Sequence, residues 1–300
     1  MILALTSAGS AAGPTNTRDI DRSQPAASAI PPGQEQPQFS TRVTQVEVYA
    51  TVTDKDGRPV KGLRAEDFDV FEDDVRQEVT TFIGGDFPAS VALAIDRSFS
   101  MQGAPLNVAR TAGRVFVASL KPEDRVMLIS ISGNVEVLSP LSQDREPLLQ
   151  ALTDLDAWSS TSLHDALIKS LDLLEGETGR RAIVVLSDGA DRYSQAGEVD
   201  VLKRARRSDV MMYPIAIGRT RPTLFAELAA LTGGRSFHLR DPKELQKTLQ
   251  TVAADLGAQY LLGYAPATPP RPESDDWRSI SVKVNRPGVT VRARSGYSAR

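Results

Sequence analysis

No cysteine occurs anywhere in the chain. Disulfides, zinc–thiolate sites, iron–sulfur clusters and cysteine nucleophiles are therefore excluded. Neither charge is in clear excess: 35 Lys and Arg stand against 38 Asp and Glu, for a net charge of −3. A dedicated nucleic-acid binder would carry a basic surplus, so that class is disfavoured. No apolar run reaches the roughly 18 residues that a transmembrane helix needs. What is present is a 300-residue chain with 41% hydrophobic content. That suffices for a normal core in one large or two modest domains.

The organisation changes along the chain. Residues 1–40 are rich in Ala, Ser, Pro, Gln and Thr. Such a composition cannot bury a core, and the expectation is a disordered leader or tether. Its first residues, MILALTSAGSAAG, combine a short apolar run with small residues resembling a signal cleavage region. They lack a basic n-region and a full h-region, so two readings stay open: the tail of an export signal, or a floppy terminus.

Residues 41–86 are β-rich. Val46, Val48, Ala50 and Val52 alternate at period two, Asp56-Gly57 is a turn signal, and FDVFEDDVRQEVTTFI reads as short strands around an acidic turn. Residues 258–300 are β-rich too: QYLLGYAP is a strand, and SISVKVNRPGVTVRA reads as a hairpin turning at Arg286-Pro287-Gly288.

Between these ends, strands alternate with helices. Strands are expected at 89–96, 125–131, 181–187, 210–217 and 235–238, and helices at 104–119, 144–152, 162–174, 198–207, 223–231 and 242–256. Alternation of this kind predicts an α/β fold with a doubly wound, mostly parallel sheet over residues 87–257. A half-sandwich at each terminus would expose an apolar face and open edges. The expected assembly is therefore an α/β domain inserted in a small split β-sandwich built from 41–86 and 258–300, with two unrelated β appendages as the alternative.

The chemistry concentrates at expected strand ends. VALAIDRSFSM, residues 91–101, begins as a buried strand and becomes Asp96-Arg97-Ser98-Phe99-Ser100. Asp188 ends the apolar run RAIVVLSDG, and Thr161 lies in WSSTSLHDAL just before a helix. In an open α/β sheet, ligands bind at the carboxyl ends of the strands. Carboxylates and hydroxyls without His or Cys suit Mg2+, Mn2+ or Ca2+.

Asp96-Arg97-Ser98-Phe99-Ser100, then Thr161, then Asp188-Gly189 resembles the metal-ion-dependent adhesion site of von Willebrand factor A domains, over roughly residues 87–257. The flanking sequence resembles the von Willebrand factor A-related proteins of Acidobacteria. The resemblance implies direct metal ligation by Ser98 and Ser100, and by Thr161 in the ligand-bound state, with Asp96 and Asp188 acting mainly through water or hydrogen bonds. Neutral ligands leave the cation a net charge and an open position for a carboxylate from a protein or peptide partner. The resemblance thus implies a non-enzymatic binding or adhesion module, secreted, periplasmic or on the cell surface. It also implies coupling between the metal face and helix 242–256. The sequence departs from the family at Phe99, where a small residue is usual, and at Arg97, where Thr is frequent. Phe99, Met101, Trp158, Arg192 and Tyr193 flank these segments and are candidate rim contacts, with ordinary loop packing as the alternative.

Other readings are weaker. An intracellular assembly factor working with an AAA+ ATPase is the main rival among binding proteins. A metal-dependent phosphohydrolase is the rival among enzymes, but a haloacid-dehalogenase-type nucleophile wants a carboxylate where Ser98 stands. There is no G-x-S-x-G elbow, and His164 and His238 read as structural or surface histidines. Asp165 reads as support for a helix amino terminus. The basic run KRARRSD, 203–209, reads as a solvated helix end, and Gly233-Gly234 as a turn.

Overall fold

The computed structural model describes residues 45–85, 87–267 and 277–298. The expected leader at 1–40 lies outside the described residues. The described residues begin with four strands: β1 (Val46–Asp54), β2 (Phe68–Glu72), β3 (Val75–Gln77) and β4 (Thr81–Gly84). The alternating section opens with β5 (Ala89–Asp96), α1 (Ala104–Ser119), β6 (Arg125–Ile131), β7 (Val135–Ser142) and α2 (Glu146–Thr153). It continues through α3 (Leu163–Glu175), β8 (Arg180–Ser187), α4 (Glu198–Arg206), β9 (Met211–Ile217), α5 (Thr223–Thr232), β10 (Phe237–Leu239) and α6 (Leu245–Leu256). Four strands follow: β11 (Gln259–Tyr264), β12 (Trp277–Val284), β13 (Val289–Arg292) and β14 (Gly296–Ser298).

The central sheet has the order β10-β9-β8-β5-β6-β7, parallel except for β7 against β6. Its strands are buried on both faces, and strand alternation divides their side chains between two cores. Val91, Leu93 and Ile95 of β5 join α1, α2 and α6 in one core, while Ala92 and Ala94 face α3, α4 and α5 in the other. The chain leaves β5 toward β6 and later returns to β5's other side with β8. That reversal places a crevice at the carboxyl ends of β5 and β8, where Asp96 and Asp188 lie.

Strands from the two ends of the chain pair with each other. One antiparallel sheet runs β13-β1-β11-β4 and the other β14-β12-β2-β3. The inward face of β1, Val46, Val48, Ala50 and Val52, meets Phe68, Val70, Leu262, Ile280 and Tyr297 in a third apolar core. The fold is thus a doubly wound α/β sheet set within a split β-sandwich. Arg278 of β12 pairs with Glu72 of β2 at 2.9 Å, an ion pair across the two adjacent strands.

Two local expectations are corrected. β12 and β13 do not form a hairpin: β12 pairs with β2 and β14, and β13 pairs with β1. Each strand sends alternate residues to the shared core, but from opposite sheets. The antiparallel edge strand β7 was not anticipated. Pro140 interrupts its pattern, and its register against β6 is irregular, both tolerated at a sheet edge. Among the described residues no helix is long and apolar enough to cross a membrane.

Candidate metal centre

β5 delivers Asp96 to the crevice as its last residue, and the side chain is 0% exposed. Both carboxylate oxygens are engaged. Oδ2 accepts the Ser187 hydroxyl at 2.6 Å, and Oδ1 accepts the Ser98 backbone N–H at 2.8 Å. Burial pushes the Asp96 carboxyl above its usual range. The Ser187 and Ser98 hydrogen bonds oppose that shift, and the neighbouring Asp188 charge adds to it. After Asp96 the chain turns through a short 3-10 segment, Phe99–Met101. This brings the Ser98 and Ser100 hydroxyl oxygens to 3.0 Å from each other.

Three loops meet at this point, held by backbone hydrogen bonds. The Phe99 N–H donates to the Ser159 carbonyl at 3.1 Å, and the Trp158 N–H to the Arg97 carbonyl at 2.7 Å. The Arg192 and Tyr193 N–H groups both donate to the Thr161 carbonyl, at 3.0 and 3.1 Å. Together with the Ser187–Asp96 bond, these contacts close a triangle of the segments carrying Ser98 and Ser100, Thr161, and Asp188. Asp188 Oδ1 accepts the Ala190 N–H at 2.9 Å, which orders its own loop.

Gly189 explains why the third loop can pack here. Its φ is +81°, and a Cβ at this position would sit 2.1 Å from Pro222 Cγ. Only glycine allows this conformation and this approach together. The contact seats the β9–α5 loop against the Asp188 loop.

The donors suit a hard cation. Among the described residues no group of three or more His, Cys, Asp or Glu side chains could hold a metal. The constellation instead relies on hydroxyls. Adjacent ligands of an octahedral ion bound at about 2.0–2.1 Å lie about 2.9 Å apart. The Ser98 and Ser100 hydroxyls are hydrogen-bonded to each other at 3.0 Å, a spacing close to that edge.

The family model described as von Willebrand factor type A domain matches residues 91–190. The chain carries a von Willebrand factor type A domain. A curated relative, inter-alpha-trypsin inhibitor heavy chain H4 of Bos taurus, is 24% identical over 49% of this chain and 18% of its own length. A UPF0353 protein of Mycolicibacterium paratuberculosis is 24% identical over 65% of this chain and 66% of its own length. The chain therefore spans less than two thirds of either relative. Among solved structures, a von Willebrand factor type A protein from Catenulispora acidiphila covers 87% of this chain and 75% of its own, with a TM-score of 0.53 and 12% identity. Proximal thread matrix protein 1 from the mussel byssus, with a zinc-occupied MIDAS motif, gives a TM-score of 0.51 at 12% identity, over 61% of this chain and 49% of its own. These likenesses are likenesses of fold. Domains of this type commonly mediate protein–protein interaction and are generally not enzymes.

Around the A domain's crevice, Phe99, Trp158 and Tyr193 are large exposed side chains, at 63%, 63% and 66%. Met101 is 1% exposed and packs in the core with α1 and α6, and it also lines a cleft beside Ser100 and Asp188.

The A domain also uses residues that sequence reasoning did not single out or assigned differently. Ser162 precedes α3, but its hydroxyl bonds the Gly133 carbonyl instead of capping the helix. Asp191, from the β8–α4 loop, accepts the His164 N–H in the first turn of α3 at 3.2 Å and the Ser194 hydroxyl at 2.6 Å. Asp165 accepts the N–H groups of Gln195 and Ala196, each at 3.0 Å, so it braces the opposite loop. His164 Nδ1 lies 3.1 Å from the Ala196 carbonyl, and His238 Nε2 2.9 Å from the Gly218 carbonyl. In the basic run, Arg204 pairs with Asp172 and Glu175 of α3.

Proposed function

We propose that this chain is a binding module that recognises a carboxylate of a partner protein or peptide through a divalent cation, and that it is not an enzyme. Mg2+ is the preferred ion in this reading, with Mn2+ and Ca2+ as alternatives. Ser98, Ser100 and Thr161 would hold it directly, and Asp96 and Asp188 would act through water or hydrogen bonds. A bound cation would supply positive charge and a coordination position for an incoming acid group.

The observation that carries this reading is the 3.0 Å pair of serine hydroxyls at the mouth of the sheet. The engagement of both Asp96 oxygens supports it, because that carboxylate is occupied in orienting Ser98 and Ser187. Neutral oxygen donors next to a buried carboxylate make a site that favours a cation without quenching its charge. Exposed Phe99, Trp158 and Tyr193 offer the aromatic contacts that partner surfaces use.

In the same reading, residues 87–257 form the recognition domain, and 41–86 with 258–300 form the sandwich that carries it. Action outside the cytoplasm, as a secreted, periplasmic or surface protein, belongs to this proposal as well.

Calorimetric titration with Mg2+ and Mn2+ tests it. Wild type should bind one ion, and Asp96→Ala should weaken binding by about 10- to 100-fold, as for loss of an outer-shell partner. Pull-down from the native organism should be abolished by chelator and by the same substitution. A wild-type protein that takes up neither metal would remove the basis of the proposal.

A further inference from the structure

Next to the serine pair lies a cleft of about 380 Å³. It starts at Ser100 and Asp188 and continues between the Arg192 segment and the β9–α5 loop, Gly218, Arg219 and Thr220. Its size is at the small end of the roughly 300–1,000 Å³ range of ligand pockets, so it suits a short chain segment. Its two walls follow the paired strands β8 and β9, and Gly189 packs closely on Pro222 between them.

The cleft gathers two arginines on facing loops. Elsewhere, Arg97, Arg125, Arg181 and Arg204 each face a carboxylate. Arg192 and Arg219 are exposed cleft residues, and neither guanidinium has an ion-pair partner among the described residues. The carboxylate lining the cleft is Asp188, at its metal end, where a bound cation would offset its charge. A guanidinium presents a planar fork that matches a carboxylate.

We infer that the cleft is a second anion subsite, and that the ligand class is an extended peptide bearing two acidic side chains. The first carboxylate goes to the cation at Ser98 and Ser100, and the second to Arg219 and Arg192. This inference rests on the metal-dependent reading above. It adds what that reading lacks, a reason to select a two-acid segment over a lone aspartate. The aromatic rim and the cationic cleft then contribute separately to partner choice.

The test uses the full chain with synthetic peptides carrying one Asp, or two Asp separated by zero to four neutral residues. Affinities are measured by fluorescence anisotropy in Mg2+ and in chelator. The best two-acid peptide is expected to bind wild type in Mg2+ about 10-fold or more tightly than the one-acid peptide, the scale of one added charge-assisted contact. Arg219→Gln should cut that advantage to less than about 3-fold and leave one-acid binding unchanged. Arg192→Gln with Arg219→Gln should abolish the advantage. Added salt should weaken two-acid binding more steeply than one-acid binding, which a purely structural role for these exposed arginines would not produce.

Equal one-acid and two-acid affinities in Mg2+ would overturn the subsite while leaving the metal reading intact. No peptide binding in Mg2+ would overturn both. A two-acid preference that survives chelator and disappears in Arg219→Gln would support the subsite and overturn the metal reading.

Discussion

Ser187 donates its hydroxyl hydrogen to Asp96 Oδ2 at 2.6 Å, joining the last residues of β8 and β5. Both side chains are fully buried, and the Ser187 oxygen also accepts the Gly189 N–H at 3.0 Å. One hydroxyl therefore sets the carboxylate beside the candidate metal position and the loop that carries Asp188. Desolvation works against a charged Asp96, and this bond partly compensates for it.

Ser187→Ala should accordingly lose about 1.5–3 kcal/mol of stability, the range for a hydrogen bond to a charged group. Urea denaturation checks this. The same variant should weaken Mg2+ binding in calorimetry, because nothing else would hold Asp96 Oδ2 in place. A fully stable variant with unchanged metal affinity would show that Asp96 is positioned by other means.

Gly189→Ala should be severe despite its size. The residue has φ +81°, and its new methyl would meet Pro222 Cγ at 2.1 Å. The backbone term is about 1–2 kcal/mol and the overpacking term about 1–3 kcal/mol, so a loss of roughly 2–5 kcal/mol is expected. Combining it with Pro222→Ala should recover the packing part alone. A double-mutant cycle on unfolding free energies measures the coupling between the two positions.

Alkaline pH should loosen the sandwich. Buried Glu72 accepts the hydroxyls of Tyr264 at 2.7 Å and Tyr297 at 2.9 Å. Burial, then bonding to Glu72, pushes Tyr297 up to about 12 and raises Tyr264 as well. A raised folded value means that the folded state holds the proton more tightly. The stabilisation is then complete below the unfolded tyrosine value near 10 and is lost as pH rises through about 12. Urea unfolding at stepped pH should show that loss, and Tyr297→Phe should flatten it.

Arg292→Ala should uncouple α6 from β13. Arg292 pairs at 2.6 Å with Asp255, which is buried near the end of α6. Removing the cation leaves an uncompensated buried charge, at a cost of about 3–5 kcal/mol. Asp255→Ala in addition should restore part of the loss in thermal or urea unfolding. The pair bears on the expected coupling of helix 242–256 to the metal face, because it ties that helix to the sandwich. Small-angle scattering with Mg2+ and an acidic peptide should change in wild type and stay constant in Arg292→Ala.

Much of this molecule was legible in its residues. β5 follows its expected 89–96 span because an apolar run ends abruptly in polar residues. The doubly wound section was readable from alternation, since strand and helix periods differ and each buried face must be apolar. Ser98 and Ser100 were legible by spacing, as was Asp188 by its place at the end of an apolar run. Thr161 came through a family resemblance, because its own neighbourhood, WSSTS, has hydroxyls at four consecutive positions. Asp191 and the bracing role of Asp165 were not legible. Their partners lie 27 to 31 residues away in other loops, and an aspartate in a loop carries no mark of what it will cap.

Sequence by itself determined which residues face inward along each strand and helix, because local sterics and the 2.0 and 3.6 periods act within a few residues. It also determined the donor chemistry open to the candidate site: oxygen donors and no thiol. Tertiary structure alone decided which strands pair. β12 and β13 show correct alternation yet go to opposite sheets, because the terminal stretches reach closed pairing only by finding β2 and β1. It also decided the cleft with Arg192 and Arg219. Those two residues are 27 positions apart, and the parallel pairing of β8 with β9, with Gly189 packed on Pro222, brings their loops to the walls of one space.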